Sequence, residues 1–367
     1  MRILYVIDSL CGGGAEKLMN DMIPIINKKH YCELIILYDK NDKYSDSLRA
    51  RGIKVTKVEA KSKLGMILFI NNYIRNGRFD IVHSNLFPAN YICAFTKLFK
   101  KEVSPLLITT EHNTDNRRRH IRLLRYVEKF VYSFYDHVIS ISDETQVALL
   151  KWLGQNKSEK YSVIYNGIDV EKFEHSQPYE KKDICSNYQE GDILLCMIGS
   201  FTEQKNHLFM IEVMKLLPTK YKLLLLGEGT LKNVIQKKVY EYGLDQRVFL
   251  MGFRTDVDRI IRSSDIIVIP SKWEGFGLIA VEAMACKKNI VASDVPGLSQ
   301  VMGNVGVKVK VDDVNDFVRA IIISSQDLEN KLNKDKIFMQ AKKYDIKIMC
   351  ENYIKLYSKL VENKSMR

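Results

Sequence analysis

Short runs rich in Ile, Leu and Val alternate along the chain with longer segments whose apolar residues recur at helical spacing. Residues 3–7, 32–38, 54–58, 80–83, 106–110, 137–141 and 162–165 form a first series of strand-like runs. Between them, 15–28, 64–74 and 119–134 carry an amphipathic helical pattern. The rhythm breaks at 170–192, a polar stretch with Pro178 and Gly191 and neither period, then resumes with runs at 193–198, 222–226, 248–251, 266–269, 289–292 and 306–311. Near-continuous apolar runs separated by helices predict parallel strands covered on both faces. The expected fold class is α/β, with one half over residues 1–170, a linker over 171–192 and a second half over 193–343. Residues 344–360 place Ile346, Met349, Tyr353, Ile354, Leu356 and Tyr357 at helical spacing. This last helix, about 344–367, can complete either half, and packing back on the first is expected.

Composition narrows the class without changing it. The 367 residues are 46% hydrophobic and 27% charged, which excludes a disordered or collagen-like chain. The longest apolar runs, at 66–70 and 266–270, are far shorter than the roughly 18–20 residues a membrane-spanning helix needs. The first run is too short for a signal-peptide core, so a cytosolic protein is expected. Seven cysteines with no Cys-x-x-Cys spacing support neither a disulfide framework nor a zinc ribbon. The net charge is +12, and residues 61–130 hold 13 basic against 5 acidic side chains. Such a field attracts phosphate, whether on a nucleotide, an anionic lipid or a nucleic acid.

Three turns at the ends of expected strands carry candidate chemistry. Gly12-Gly13-Gly14-Ala15-Glu16 joins the first run to the first helix, where glycine permits close backbone approach and a helix N-terminus offers N–H groups to an anion. A dinucleotide fingerprint fails there at Lys17, and again after Gly227-Glu228-Gly229 at Lys232. The second turn, Gly199-Ser200-Phe201-Thr202-Glu203-Gln204-Lys205-Asn206, puts a lysine where ligands of open α/β sheets bind. The third runs from Ser271 through Glu274-Gly275-Phe276-Gly277-Leu278 into an apolar helix that contains Glu282. Its glycines expose the N–H groups of Phe276, Gly277 and Leu278 to a phosphate. Glu282, one turn past Leu278, is placed to accept hydrogen bonds from vicinal ribose hydroxyls.

With these motifs together, the sequence resembles the retaining nucleotide-sugar glycosyltransferases of the GT-B fold, in which two Rossmann-like domains face each other across a cleft. The resemblance spans essentially the whole chain. It rests on Gly13-Gly14-Ala15-Glu16, Thr110-Glu111-His112-Asn113, Ile139-Ser140-Ile141-Ser142, Asn166-Gly167-Ile168-Asp169, Gln204-Lys205-Asn206, Gly227-Glu228-Gly229 and the Glu274/Glu282 pair. The sequence departs from many members at Ser200, where they carry arginine. The resemblance implies a nucleotide-diphosphate sugar held by Ser200, Lys205, Asn206, Glu274, Gly275, Phe276, Gly277, Leu278 and Glu282, with Gly13 and Gly14 reaching in as the cleft closes. It implies catalytic roles for His112, Lys205 and Glu274, and a glycan acceptor, lipid-linked, on the first half, in polysaccharide or lipopolysaccharide assembly. No cofactor or metal is expected. Asp256-Val257-Asp258 has a metal-binding spacing, but Thr255 as an N-cap with acids in the first helical turn explains it.

Arg117, Arg118, Arg119, Arg122 and Arg125 put five arginines in nine residues. Five like charges need a compensating anion, and an anionic membrane surface is the partner expected, on the cytoplasmic face of the inner membrane. The run 64–70 is read as core. No basic-aromatic motif of a nucleic-acid module accompanies the charge. Two other classes stay open: a GT-B nucleotide-sugar epimerase, and a non-catalytic nucleotide- or membrane-binding module.

Overall fold

The computed structural model describes residues 1–39, 41–99 and 104–366, with the backbone alone at Arg117. The first sheet contains β1 (Arg2–Ile7), β2 (Tyr31–Ile36), β3 (Lys54–Lys57), β4 (Ile81–Asn85), β5 (Leu106–Glu111), β6 (His137–Ser140) and β7 (Tyr161–Val163). All its pairings are parallel, in the order β3-β2-β1-β4-β5-β6-β7. The second contains β8 (Ile193–Ile198), β9 (Tyr221–Leu226), β10 (Val248–Gly252), β11 (Ile266–Ile269), β12 (Asn289–Ser293) and β13 (Val307–Val309), in the order β10-β9-β8-β11-β12-β13, again parallel. In each sheet the strand order reverses beside the first strand, at β1/β4 and at β8/β11. Ligands of doubly wound sheets bind at the carboxyl ends of the strands beside such a switch.

The apolar runs form strands because helices cover both faces. In β1, Ile3, Tyr5 and Ile7 enter one buried cluster with Leu18, Met19, Met22 and Ile26 of the helix Gly14–Asn27. Leu4 and Val6 enter a separate cluster on the opposite face with Met66, Ile70 and Ile92. Burying one such side chain stabilises the fold by about 1.5–3 kcal/mol. The helix Lys63–Gly77 buries Met66 and Ile70 but leaves Leu64 and Leu68 exposed, so the run 64–70 is core on one side only.

The chain divides into two compact units: Met1–Gly167 with the chain from Ile346 onward, and Ile168–Asp345. The segment 171–192, expected as an interdomain linker with local structure, belongs to the second unit. It forms the helices Val170–His175 and Lys181–Ile184. Asp169 caps the first of these by accepting from the Lys172 N–H at 3.0 Å. Phe173, Ile184 and Cys185 bury their side chains, and Lys181 pairs with Asp265 at 2.7 Å. The helical stretch expected over 119–134 is also shorter. Arg117–His120 is a 3-10 turn capped by Asn116 Oδ1, and the α-helix runs only over Leu124–Ser133.

The final helix, Ile346–Ser365, completes the first unit by burying Ile346, Met349, Cys350, Tyr353 and Tyr357. A polar network fixes its position. Tyr357 Oη meets His83 Nδ1 at 2.6 Å, and His83 Nε2 meets Thr110 Oγ1 at 2.8 Å. Burial pushes the His83 pKa down to about 3, so the imidazole is neutral and uses one nitrogen as donor and one as acceptor. Tyr357→Phe leaves that ring nitrogen buried and unsatisfied. A loss of about 1–3 kcal/mol is expected in urea unfolding. A change below about 0.5 kcal/mol, within the usual scatter of harmless substitutions, shows that the network does not hold the helix.

Candidate active site

The site in the second unit lies where β8 and β11 end beside one another. After β8, a short 3-10 turn, Glu203–Lys205, leads through Asn206 into the helix His207–Leu216. Asn206 has φ +61°, and its side-chain amide donates to Asp312 Oδ1 at 2.8 Å. Its side chain is therefore committed to holding the turn. Gly199 lets the Lys205 stem lie flat against the backbone: a β-carbon there falls 3.1–3.3 Å from Lys205 Cγ, Cδ and Cε. Ser200 is exposed at the strand end.

The loop after β11 is stitched onto this turn. Lys272 N–H donates to the Gln204 carbonyl at 2.8 Å, and Gln204 Nε2 donates to the Trp273 carbonyl at 2.9 Å. Lys205 Nζ lies 2.5 Å from Glu274 Oε1, and Ser271 Oγ donates to the same oxygen at 2.7 Å. Glu274 and Ser271 are buried, whereas the Lys205 side chain keeps one-fifth of its surface in contact with solvent. The structure thus brings together Lys205 and Glu274, two residues 69 positions apart that the sequence marks separately. In the sequence, Gln204 stands out only as part of the Gln204-Lys205-Asn206 motif and Ser271 only as the start of the glutamate turn, neither with a role at the site. Their hydroxyl and amide belong to types that usually face water.

Close packing sets the shape of the loop. Gly277 has φ +87° and caps the helix Leu278–Ala285. A β-carbon on Gly297 falls 2.4 Å from the Glu274 carbonyl oxygen and 2.9 Å from that of Gly275, so the helix Pro296–Met302 begins directly against the glutamate loop. Phe276 turns inward and stacks edge-on against Tyr344, with ring centroids 5.3 Å apart. Glu282 is only 2% exposed, so it is not an ordinary surface glutamate of its helix. Gly227 and Gly229 are explained by contact with the neighbouring turn. Their β-carbons fall 2.0 Å from the Gly199 carbonyl oxygen and 2.5 Å from that of Phe201.

Asp256 and Asp258 have separate partners. Asp256 receives Arg254 at 2.8 and 2.5 Å and the Tyr179 hydroxyl at 2.7 Å, and the guanidinium holds its carboxyl well below the usual range. Asp258 lies 3.7 Å from Lys172. The N-cap of Val257–Ser263 is Asp256, not the Thr255 expected from the sequence, and Arg254 occupies its carboxylate. No cluster of three or more His, Cys, Asp or Glu side chains suited to a metal occurs among the described residues. Six of the seven cysteines are buried and Cys11 is exposed; burial pushes the Cys196 thiol up to about 12.

In the first unit, Gly13 caps the helix Gly14–Asn27 and leaves room for Glu16, whose Oε2 falls 2.4 Å from a β-carbon built on Gly13. Burial pushes the Glu16 carboxyl up. His112 follows β5, and its Nε2–H donates to Asn85 Oδ1 at 3.0 Å. Burial holds the His112 pKa down to about 4, so Nδ1 is left as a neutral acceptor.

The arginine cluster does not present five free cations. Arg118 pairs with Glu128 at 2.7 Å and stacks over Phe87 at 4.3 Å. Arg119 faces Glu111 at 3.6 Å with 7% of its side chain exposed, and bonds the Thr114 carbonyl. The compensating anions expected from a membrane are, for these two, carboxylates of the same unit. The Arg117 side chain lies outside the described residues. Arg122 and Arg125 do reach solvent, together with Lys129. They stand among exposed apolar side chains: Ile121, Leu123, Tyr126, Val127 and Phe130.

Comparison with known proteins matches both units. Residues 13–172 match Glycosyltransferase Family 4, and residues 180–343 match Glycosyl transferases group 1. The chain is 26% identical over 356 residues to the N-acetylgalactosamine-N,N'-diacetylbacillosaminyl-diphospho-undecaprenol 4-alpha-N-acetylgalactosaminyltransferase of Campylobacter jejuni, covering 92% of this chain and 94% of that one. It is 24% identical over 348 residues to the UDP-Gal:alpha-D-GlcNAc-diphosphoundecaprenol alpha-1,3-galactosyltransferase of Escherichia coli, covering 88% and 87%. Among solved structures, Anabaena HepE in complex with UDP superposes with a TM-score of 0.82 at 19% identity, over 98% of this chain and all of that one. That likeness shows the shared fold.

Proposed function

Because this chain belongs to the glycosyltransferases of the GT-B fold, we propose that it transfers a sugar from a nucleoside-diphosphate sugar to a lipid-linked glycan, with retention at the anomeric carbon. The observation that carries the reading is the Lys205–Glu274 pair at the carboxyl ends of β8 and β11. Both relatives named above act on sugars linked to undecaprenol through a diphosphate, which supports the acceptor class and a place in cell-surface polysaccharide assembly. In this reading Lys205 and the N–H groups of Phe276–Leu278 stabilise the charge that builds on the leaving diphosphate. Glu274 holds sugar hydroxyls and Glu282 the ribose. His112, neutral, orients an acceptor or sugar hydroxyl through Nδ1. Gly13 and Gly14 contribute backbone N–H groups.

A screen of labelled UDP-, GDP- and ADP-sugars with a lipid-diphosphate-linked acceptor tests this. One donor is expected to give acceptor-dependent transfer that survives EDTA, since the diphosphate charge is assigned to Lys205 and backbone N–H groups. Turnover of the donor without acceptor into an isomer favours an epimerase. Abolition by EDTA with rescue by Mg²⁺ or Mn²⁺ overturns the metal-free assignment.

The surface around Arg122, Arg125, Tyr126 and Phe130 is assigned to reversible attachment at an anionic membrane. Mixed cationic and aromatic faces of this kind sit at the headgroup boundary. Arg122→Ser with Arg125→Ser is expected to weaken co-sedimentation with anionic vesicles roughly 30-fold, at about 1 kcal/mol per charge. Binding that ignores lipid charge, salt and both substitutions removes the assignment.

A further inference from the structure

Lys205 has two claims on it. It is the cation assigned to the donor's diphosphate, and in the structure its Nζ sits 2.5 Å from Glu274 Oε1. Glu274 is 7% exposed. Ser271 donates to the same oxygen of Glu274 that Lys205 contacts. A carboxylate in such a place is costly to strip of its partner, because a buried charge left unpaired keeps its full desolvation penalty. Lys205 cannot therefore turn to a phosphate without something replacing it at Glu274. Ser271 alone offers a single hydroxyl hydrogen. An intact nucleotide sugar brings both parts of the exchange: a diphosphate for Lys205 and sugar hydroxyls for Glu274. A free nucleoside diphosphate brings only the first.

We propose that the Lys205–Glu274 pair is an exchange latch through which the site tells the sugar-bearing donor from the spent nucleoside diphosphate. The inference rests on the donor-site reading above. While the sugar is present, Glu274 bonds its hydroxyls and Lys205 is released to the diphosphate. When the sugar has left, Glu274 takes Lys205 back and the grip on the diphosphate weakens. Product release is thereby tied to completion of transfer. No covalent bond changes in the exchange itself; one ion pair and a set of hydrogen bonds are traded for another.

The test is calorimetric titration of the purified protein with UDP, GDP and ADP, continued with whichever binds best. Glu274→Gln removes the competing carboxylate, so that nucleoside diphosphate should bind roughly 10-fold more tightly while sugar transfer falls. Glu274→Asp keeps the charge but shortens the arm, and should give a smaller gain; it carries the test if the glutamine variant fails to fold. Thermal melts of each variant check the fold. The gain should vanish when Glu274→Gln is made on a Lys205→Ala background. A gain that persists there reports through-space repulsion and overturns the latch, as does unchanged or weaker binding in both Glu274 variants. Absence of binding to all three in both the wild type and Glu274→Gln removes the donor-site reading, and the latch with it. Wild-type binding without a gain removes the latch alone.

Discussion

Lys205→Ala is expected to lower the rate of sugar transfer by roughly 10²- to 10³-fold, the usual effect of removing one group that stabilises transition-state charge. The bond that breaks leaves negative charge on a phosphate oxygen, and Lys205 is the side-chain cation placed at the β8 turn. Lys205→Arg should rescue little. The lysine stem runs along Gly199, with carbons 3.1–3.3 Å from where a β-carbon would sit, and a planar guanidinium needs more width than an ammonium. Steady-state kinetics with the donor found in the screen measure the effect. A loss under about 10-fold, or full rescue by arginine, would take Lys205 out of the chemistry.

Glu128→Ala should destabilise the protein by about 3–5 kcal/mol, the range for breaking a buried ion pair from one side. Glu128 is 1% exposed and is shared by three donors. Oε1 accepts from Arg118 Nε at 2.7 Å and from the Tyr91 hydroxyl at 3.0 Å, and Oε2 accepts from Trp152 Nε1 at 2.6 Å. Removing the carboxylate leaves a guanidinium, a phenol and an indole N–H without that acceptor. Glu128→Gln should recover part of the loss, because its amide oxygen still accepts. Denaturant melts of the three proteins decide it. A loss below about 1 kcal/mol for alanine, the level of a single ordinary hydrogen bond, would mean that water replaces the carboxylate at no net cost. The same geometry predicts that Arg118→Ser acts on stability before it acts on lipid binding.

The strands were legible because their burial on two faces writes an unbroken apolar run, as at β1, β8 and β11. The helix at 124 was overextended toward 119 because Arg119 and Arg122 are good helix formers; propensity does not register that Asn116 caps a 3-10 turn there. The segment 171–192 read as linker because it is held by few apolar anchors, Phe173, Ile184 and Cys185 among them, and few anchors leave no period. At the site, the residue types were readable but their pairing was not. Counting arginines cannot reveal that Glu111 and Glu128 face two of them. Glu274 and Lys205 are likewise joined only by the adjacency of β8 and β11. The Asn206–Asp312 bond spans 106 residues and leaves no local trace.

The last helix has a consequence for how the chain matures. Its residues Met349, Tyr353 and Tyr357 fill the same buried cluster as β1, which is made before any strand of the second unit. On a ribosome, Ile168–Asp345 has all of its own residues before Tyr353 has been added. Domains ordinarily fold in the order of synthesis, the amino-terminal one first. Here the unit begun earlier is the one finished later, and its β1 core waits, open on one side, until residues 346–357 have been added. A polypeptide stalled or cut before residue 346 therefore carries a second unit with its whole sequence and a first unit with an uncovered apolar face, the kind of nascent chain on which chaperones act.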